Sequence, residues 1–573
     1  MLAPVIAAAA GTASATDGPP ATRAWSIAAS ADVDAGDGLN GLACTNSTNC
    51  MAVGSYLDDG NSETLTERWN GTTWSVVASP DQTTKGDSLT AVACPGPTSC
   101  IAVGTYPNTD GLGSTLVESW NGASWSIIPS PSDGTEGSHL NAISCTSADS
   151  CVAVGYYFDE STLSNQTLIE SWNGASWSIV SSPDDGSGYN ALWGVSCPTS
   201  TDCEAVGLDA GGTLIESLTG TTWSIVSSPN ALGAQDALVS VTCTNASSCV
   251  AAGDYFNGSD IDQTLVESWN GTAWSVVPSP SEQASNNALA SVACATPTNC
   301  EAVGYYENGA VAQQTLVENW NGSTWSLVLS PNEGTNAANV LSGVAEAGTN
   351  WVASGANNAS ASYQTLVETT FPTPSTTSVA SVTSRLVAGQ PIAFSVQVIG
   401  SGASPPTPTG QITVSDGARK CTATLKGSLG TADARCSIAE QAAGHYSFTA
   451  SYAGDSVYAA SITAAPTSVT VNKATSETTL KLSATKVTLG KEQTEHLSVE
   501  VTPQFAGSTP TGTVTIRTAS SKLCVITLSS GKGSCSLSSK RLAAGTHHLV
   551  ATYAGSKNLL SSASAPETLK VTT

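Results

Sequence analysis

Positive charge is almost missing from the first two thirds of this 573-residue chain. Residues 1–372 hold Arg23, Arg68 and Lys85 against thirty-six carboxylates, a balance of −33, while residues 373–573 hold sixteen cations against nine carboxylates, a balance of +7. The first part should repel nucleic acid and anionic surfaces; the second can approach them. No run of eighteen or more apolar residues is present to span a membrane, and the final KVTT shows neither a membrane anchor nor a sortase-type tail. Histidine is scarce, and His139 is the single one before residue 373, which leaves nucleophilic catalysis there short of a base. GxSxG, a phosphate-cradling glycine loop and HExxH are all missing. Charged residues make up 11%, and two Met and six Phe stand against fourteen Trp and thirteen Tyr. That composition excludes an ordinary helical cytosolic enzyme and fits a β-rich, turn-rich secreted protein of three or more domains.

What the chain does have is repetition. ESWNGASWSI occurs at 118–127 and again at 170–179, with near copies starting at 67, 216, 267 and 318. Cys44, Cys94, Cys145, Cys197, Cys243 and Cys294 keep the same period, which is near fifty residues and so marks stacked supersecondary units. Inside one unit four alternating runs, NAISC, CVAVGYY, TLIESW and WSIVSS, are separated by turn residues. Four short antiparallel strands make a propeller blade. The Asn-Gly between the last two runs predicts a tight hairpin turn in which both residues take positive φ. The last repeat stops at its third strand, and the missing piece, TRAWSIAAS, sits at residues 22–30. Six complete blades and one composite blade predict a seven-bladed propeller over 22–371, closed by its N-terminal strand.

Each complete blade carries C-x5-C: Cys44/Cys50, Cys94/Cys100, Cys145/Cys151, Cys197/Cys203, Cys243/Cys249 and Cys294/Cys300. The seventh has Ala345 and Trp351 at the matching places, so the cysteines leave as a pair. Residues facing each other across a short hairpin lie within disulfide range, whereas zinc needs four thiolates gathered together. The pairs therefore read as disulfides and point to an oxidising compartment. The start agrees, since residues 1–15 form a partial signal peptide with Ala13-Ser14-Ala15 placed for cleavage.

The order of strand, Gly-ending strand (AVGYY), aromatic-ending strand, turn and Trp resembles kelch repeats and the central domain of galactose oxidase. It departs from them in having one glycine per repeat (Gly54, Gly104, Gly155, Gly207, Gly253, Gly304, Gly355) and in its cysteines. The copper chemistry of galactose oxidase is not implied, because neither a His pair nor an unpaired Cys is available. After a Pro/Ser/Thr linker at 371–381, two copies of about one hundred residues follow. PTGQITVSDG aligns with PTGTVTIRTA, and Tyr452-Ala453-Gly454 with Tyr553-Ala554-Gly555. Their short alternating strands predict β-sandwiches over 374–472 and 473–573, and they resemble bacterial immunoglobulin-like repeats of the group 3 type, which implies spacing, presentation or adhesion. Cys421/Cys436 and Cys524/Cys535 read as hairpin staples.

Glu67, Glu118, Glu170, Glu216, Glu267, Glu318 and Glu368 hold one position in all seven blades. Catalysis needs a distinguished pair, so seven equivalents read as a shared structural bond. The variable loops lie on the other face, where binding on a rigid scaffold usually sits. There Tyr56, Tyr106, Tyr157, Tyr255 and Tyr306 end the second strands, with Asp58, Asp59, Asp159, Glu160, Asp260 and Asp262 nearby. They form a candidate platform for sugars or a cationic peptide; the alternative is tyrosines packed on blade tops beside solvated acids. The sequence thus reads as an all-β, secreted or cell-surface recognition protein without catalysis. Its propeller would bind an extracellular glycan or protein, and its Ig-like half would act as a spacer able to meet an anionic cell wall. The rivals are a secreted carbohydrate-active hydrolase or lyase using loop carboxylates, and a purely structural scaffold. No nucleic-acid partner or cofactor is implied. Calcium is the one ion the acidic loops leave open, without a D-x-[DN]-x-[DN]-G loop to hold it.

Overall fold

In a computed structural model, the described residues are 24–573, apart from 34, 84–85, 133–136, 184–187, 232–235, 260, 283–284, 310–311, 335–336, 361, 402–406, 440 and 456. The export signal over 1–15 and Asp260 therefore lie outside them. The chain forms two compact units that meet between Phe371 and Pro372.

The first unit is seven four-stranded antiparallel sheets. Blade 3 is representative, with strand a Ser138–Ser147, b Ser150–Asp159, c Ser164–Trp172 and d Trp177–Val180. Strands a pack side by side around the ring, and Ala35–Asn46 of blade 1 meets Asn339–Ala347 of blade 7. Blade 7 takes its outer strand from the N-terminus: Ser26–Ala28 pairs antiparallel with Gln364–Thr369, Ser26 opposite Thr369. Strand b is apolar on both sides because it is sandwiched between blades. Met51 and Val53 of blade 1 pack on Leu89, Val92, Ala102 and Leu116 of blade 2, and each junction around the ring repeats this pattern.

The framework glycine has a steric cause. A Cβ on Gly104 would stand 2.0 Å from the carbonyl oxygen of Ser88 on strand a, and the other six blades show the same approach at 1.9–2.0 Å. The Asn-Gly turn departs from expectation. Gly71 has φ 96° but Asn70 is not in the left-handed region. Asn70 is kept for its side chain, whose Oδ1 accepts from the backbone N of Thr72 (2.9 Å) and of Thr73 (3.0 Å). This is Asx-turn chemistry rather than a two-residue positive-φ turn. The flanking tryptophans face each other, as in Trp172–Trp177 with centroids 5.7 Å apart. The half-exposed one reaches back to its own disulfide turn, Trp172 Nε1 donating to Ala148 O (3.1 Å).

All six blade cysteine pairs are disulfides with Cα atoms 4.0–4.1 Å apart. As the spacing predicts, the paired cysteines face each other across the a–b hairpin, as Cys44 does Cys50 and Cys145 does Cys151, but the bonds reach deeper than the turn. Cys50, Cys100, Cys151 and Cys300 are only 0–3% exposed and sit inside the apolar junctions between blades. The reason is their place at the start of strand b, which neighbouring blades cover on both sides, while the partner on strand a stays half-buried. These four belong to the core and offer no surface to a ligand. Cys203 and Cys249 are buried in the same way, but they border a cleft of ≈230 Å³ beside Trp269. Blade 7 differs again from the sequence reading: its hairpin is one residue shorter, so Glu346, not Ala345, stands opposite Trp351.

In the second unit each immunoglobulin-like module is a sandwich of two sheets. The first closes around Phe394 and Phe448, edge to face at 5.0 Å. Its disulfide is not a hairpin staple. Cys421 lies on Lys420–Thr424 in one sheet and Cys436 on Thr431–Ile438 in the other, so the bond clamps the two layers. Cys524 and Cys535 do the same in the second module. The similar spacing within the modules conceals this, because a sandwich brings sequence neighbours together across layers as well as along a hairpin. Ala388 and Ala443 of the first module pack into the core of the second, and Ala443 N donates to Asn558 Oδ1 (3.0 Å).

Gly104→Ala should lower stability by about 3 kcal/mol, read as the urea midpoint. Gly258→Ala, with nothing within 4 Å of the new Cβ, should stay within about 0.5 kcal/mol. Equal effects would remove the close-approach explanation.

Candidate functional site

The ring separates a uniform face, holding the a–b disulfide turns and c–d WNG turns, from a face holding the b–c turns and d–a loops. The five tyrosines expected to form a platform on the second face do not come together. Each packs half-buried against a separate blade-to-blade cluster: Tyr56, Tyr106, Tyr157, Tyr255 and Tyr306 each belong to a different one. Tyr56 also donates to Glu63 Oε2 (2.7 Å). Tyr106 lines a shallow ≈640 Å³ cleft with Gln82, Thr83, Pro107 and Asn108. Asp58 and Asp59 are exposed on the blade 1 turn, and Glu160 is exposed beside Asp159, which caps Ser161.

The residues that do converge stand one position earlier. After each framework glycine come Ser55, Thr105, Tyr156, Leu208, Asp254, Tyr305 and Ala356. Each pairs with the start of strand a at the inner rim, as in His139↔Tyr156 and Ala237↔Asp254. On this side strand b looks toward the next blade. Tyr156 stacks on His139 (4.8 Å, 24°) and meets Tyr189 (6.4 Å) and Trp193 (6.1 Å) of blade 4. Trp193 is the extra residue of a bulge between Leu192 and Gly194 on the innermost strand. Other blades hold Asn40, Thr90 or Asn141 there, which donate to the next strand a (Leu89, Leu140 and Leu192 O, 2.7–2.9 Å). Tyr189 is 40% exposed, and burial holds His139 below its usual pKa. The signal was legible: this column changes in nearly every blade while the next repeats Tyr, and repetition marks framework.

Across blades 5 and 6 the same rim turns acidic. Burial, then the charges of Asp262 and Asp236, push Asp254 up to about 6. Tyr305 is raised by burial and by Asp254, Asp262 and Glu307. Asp262 Oδ1 is buried with no hydrogen-bond partner among the described residues, and Glu307 accepts from Asn286 Nδ2 (3.0 Å). Among the described residues no three His, Cys, Asp or Glu side chains gather to hold a metal ion. The loops above are tied at their base by buried residues at the start of strand a or just before it, a device the sequence reading missed. Asp87 accepts from Thr83 N (2.9 Å), Asn287 from Glu282 N (2.8 Å) and Asn339 from Glu333 N (2.9 Å).

The seven glutamates are fully buried and join blades. The serine after strand d of one blade donates to the glutamate on strand c of the next: Ser79 to Glu118, Ser130 to Glu170, Ser182 to Glu216, Ser228 to Glu267, Ser279 to Glu318 and Ser330 to Glu368, at 2.5–3.1 Å. At the seam Ala31 N donates to Glu67 (3.2 Å). Burial pushes Glu67, Glu170 and Glu267 up to about 7, and Glu118, Glu318 and Glu368 to about 8. Two carboxyls replace apolar residues on strand b, Glu204 and Glu301, and burial pushes them to about 7 and about 8.

Residues 379–472 and 480–572 match the bacterial Ig-like domain (group 3). No curated protein matches the chain. Solved structures similar to it include YCF48 bound to D1 peptide (13% identical, 62% of this chain and 96% of that one, TM-score 0.37). Sqt1 of Chaetomium thermophilum bound to the N-terminus of ribosomal protein L10 is 11% identical over 57% of this chain and 96% of that one, TM-score 0.36. A PL25 ulvan lyase of a new polysaccharide lyase family is 11% identical over 58% and 95%, TM-score 0.41. The propeller assignment rests on this chain's own sheet topology.

Raised carboxyl values have a definite sign. Between pH 4.5 and about 8 the folded propeller holds protons that the unfolded chain has released, so stability falls as pH rises through that window. All fourteen Trp lie before residue 372, so tryptophan fluorescence reports the propeller alone. Its melting temperature should drop from pH 5 to pH 8, and Glu318→Gln should shrink the drop. A rise with pH would contradict the burial of these groups.

Proposed function

We propose that this is an exported or cell-surface recognition protein whose propeller binds an extracellular ligand on its loop face, presented by the two Ig-like modules. The observation that carries the reading is the contrast between columns. Glycine, glutamate, tryptophan and disulfide positions repeat around the ring, whereas the inner rim of the loop face differs blade by blade and concentrates aromatics over blades 3 and 4. The exposed Tyr189 beside the half-buried Tyr156 and Trp193 offers the aromatic contact area that a binding site needs. Asp58, Asp59, Asp159, Glu160 and Asp262 add negative charge at the b–c turns of the same face. The modules suit a spacer of defined geometry, since the core of one accepts residues of the other. Their exposed lysines, such as Lys481 beside the Lys532–Glu500 pair (3.1 Å), leave a mildly basic half able to face an anionic wall.

One observation favours the enzymatic rival: Asp254, pushed up to about 6 by burial and the charge of Asp262, keeps its proton to higher pH than an ordinary carboxyl, as a general acid does. The full chain should be applied to arrays of polysaccharides, bacterial cell walls and proteins, with the supernatant assayed for released sugars. Retention without release, lost in the Tyr156→Thr/Trp193→Ala double variant, is expected. Release of sugar that Asp254→Asn abolishes would make the protein an enzyme.

A further inference from the structure

We infer that the inner rim of the loop face over blades 3 to 6 receives an arginine-bearing segment of another protein, a deepening that rests on the recognition reading above. Three observations converge. Arg68 is the one cation among the described residues of this unit, and it is engaged on the opposite face, its guanidinium donating to Asn49 Oδ1 (3.0 and 3.2 Å) and lying 5.8 Å over Trp120. Every charge that the described loop face carries is therefore a carboxylate. The rim offers aromatic faces from three blades, Tyr156, Tyr189 and Trp193 of blades 3 and 4 on one side and Tyr305 of blade 6 on the other, the last set among Asp254, Asp262 and Glu307. The buried Asp262 Oδ1 has no hydrogen-bond partner among the described residues.

The demand for positive charge is spread out rather than focused, because no three of these ligands gather for a metal ion among the described residues. An extended organic cation answers it. Guanidinium stacks on aromatic faces and donates in a fork to carboxylates, which suits both halves of the rim better than the compact, strongly hydrated ammonium of lysine. A neutral sugar would use the rings and leave the acidic half uncompensated.

The test is titration of the full chain with a blocked (Gly-Arg-Ser)4 peptide, its citrulline counterpart and cellohexaose. Citrulline keeps the planar shape and removes the charge. Tyr156→Thr, Tyr189→Asn and Trp193→Ala install what Thr105, Asn286 and Ala290 already are at the equivalent places, so the fold tolerates them. Asp254→Asn is compared with Glu346→Gln, an exposed carboxylate on the opposite face. The arginine peptide should bind and the citrulline peptide should lose most of that affinity. Each aromatic variant should weaken binding about two- to thirtyfold, Asp254→Asn should weaken it, and Glu346→Gln should not. Equal binding of the two peptides, or equal effects of Asp254→Asn and Glu346→Gln, would overturn the inference by showing diffuse attraction. Cellohexaose binding that depends on the same rings, without peptide binding, would overturn the ligand class and leave the recognition reading standing. Binding of neither probe would overturn the inference, and the arrays would then decide the broader reading.

Discussion

The propeller depends on a carboxyl buried between two blades and reached by a hydroxyl from the blade before it. Burying seven such groups is unfavourable for their charge; each receives a donor from its neighbour, and in Glu67, Glu118, Glu170, Glu267, Glu318 and Glu368 burial raises the pKa so that the proton is held longer. The bond therefore does more than satisfy a polar atom. It specifies how far each blade is rotated against the last, because strand c of one and the exit of strand d of another must come within hydrogen-bond reach. The apolar clusters supply the area and this polar stitch supplies the register, a division familiar from cores in which polar contacts select one packing among several.

From that constraint follows the economy of the remaining framework. Within each blade strand b runs so close to strand a that only glycine fits at its centre. The outer hairpin is fastened by its tryptophan to the turn beside it. The disulfide closes that same turn and carries it into the junction through its buried half, so one short loop anchors three elements. The opposite face is spared these duties, and its loops need only be tied at the base. They are free to differ above it.

How much of this the sequence reveals depends on whether the signal is repeated. Blade count, the N-terminal closure, the six disulfide pairs and the Ig-like modules all follow from periodic residues, since a unit written six times averages away accident. The pairing of the blade cysteines was legible, but the burial of Cys50, Cys100, Cys151 and Cys300 was not, because it depends on the neighbouring blade rather than on the hairpin. The shared glutamate was legible as a structural bond, although not as one between blades, because Ser79 and Glu118 lie in different repeats and nothing local links them. The side chains that converge at the inner rim stand one residue before the tyrosines that the sequence singles out. Tyr56 and its counterparts drew attention by recurring, while Tyr156, Asp254 and Tyr305 stand in a column where no type recurs in adjacent blades. Alternation on a strand sends neighbours to opposite sides, so a shift of one exchanges a buried junction for the open rim. The inter-sheet clamps in the modules were missed for another reason: eleven or fifteen residues can close a hairpin or cross a sandwich, and spacing alone does not separate the two.

The seam of blade 7 has a mechanical meaning. The chain enters the ring through Ser26–Ala28 and leaves it through Gln364–Thr369, and these strands are antiparallel neighbours with Ser26 opposite Thr369. Both ends of the ring thus emerge at the same end of one three-residue ladder. A pull applied between whatever holds the N-terminus and whatever holds the Ig-like modules loads that ladder by peeling, one pair after another, rather than by shear across all of it. Six blades bridged by disulfides lie outside the line of force. Tension would open the ring at its joint while leaving every other blade folded, so the molecule is stiff as a scaffold and weak at a single designated latch.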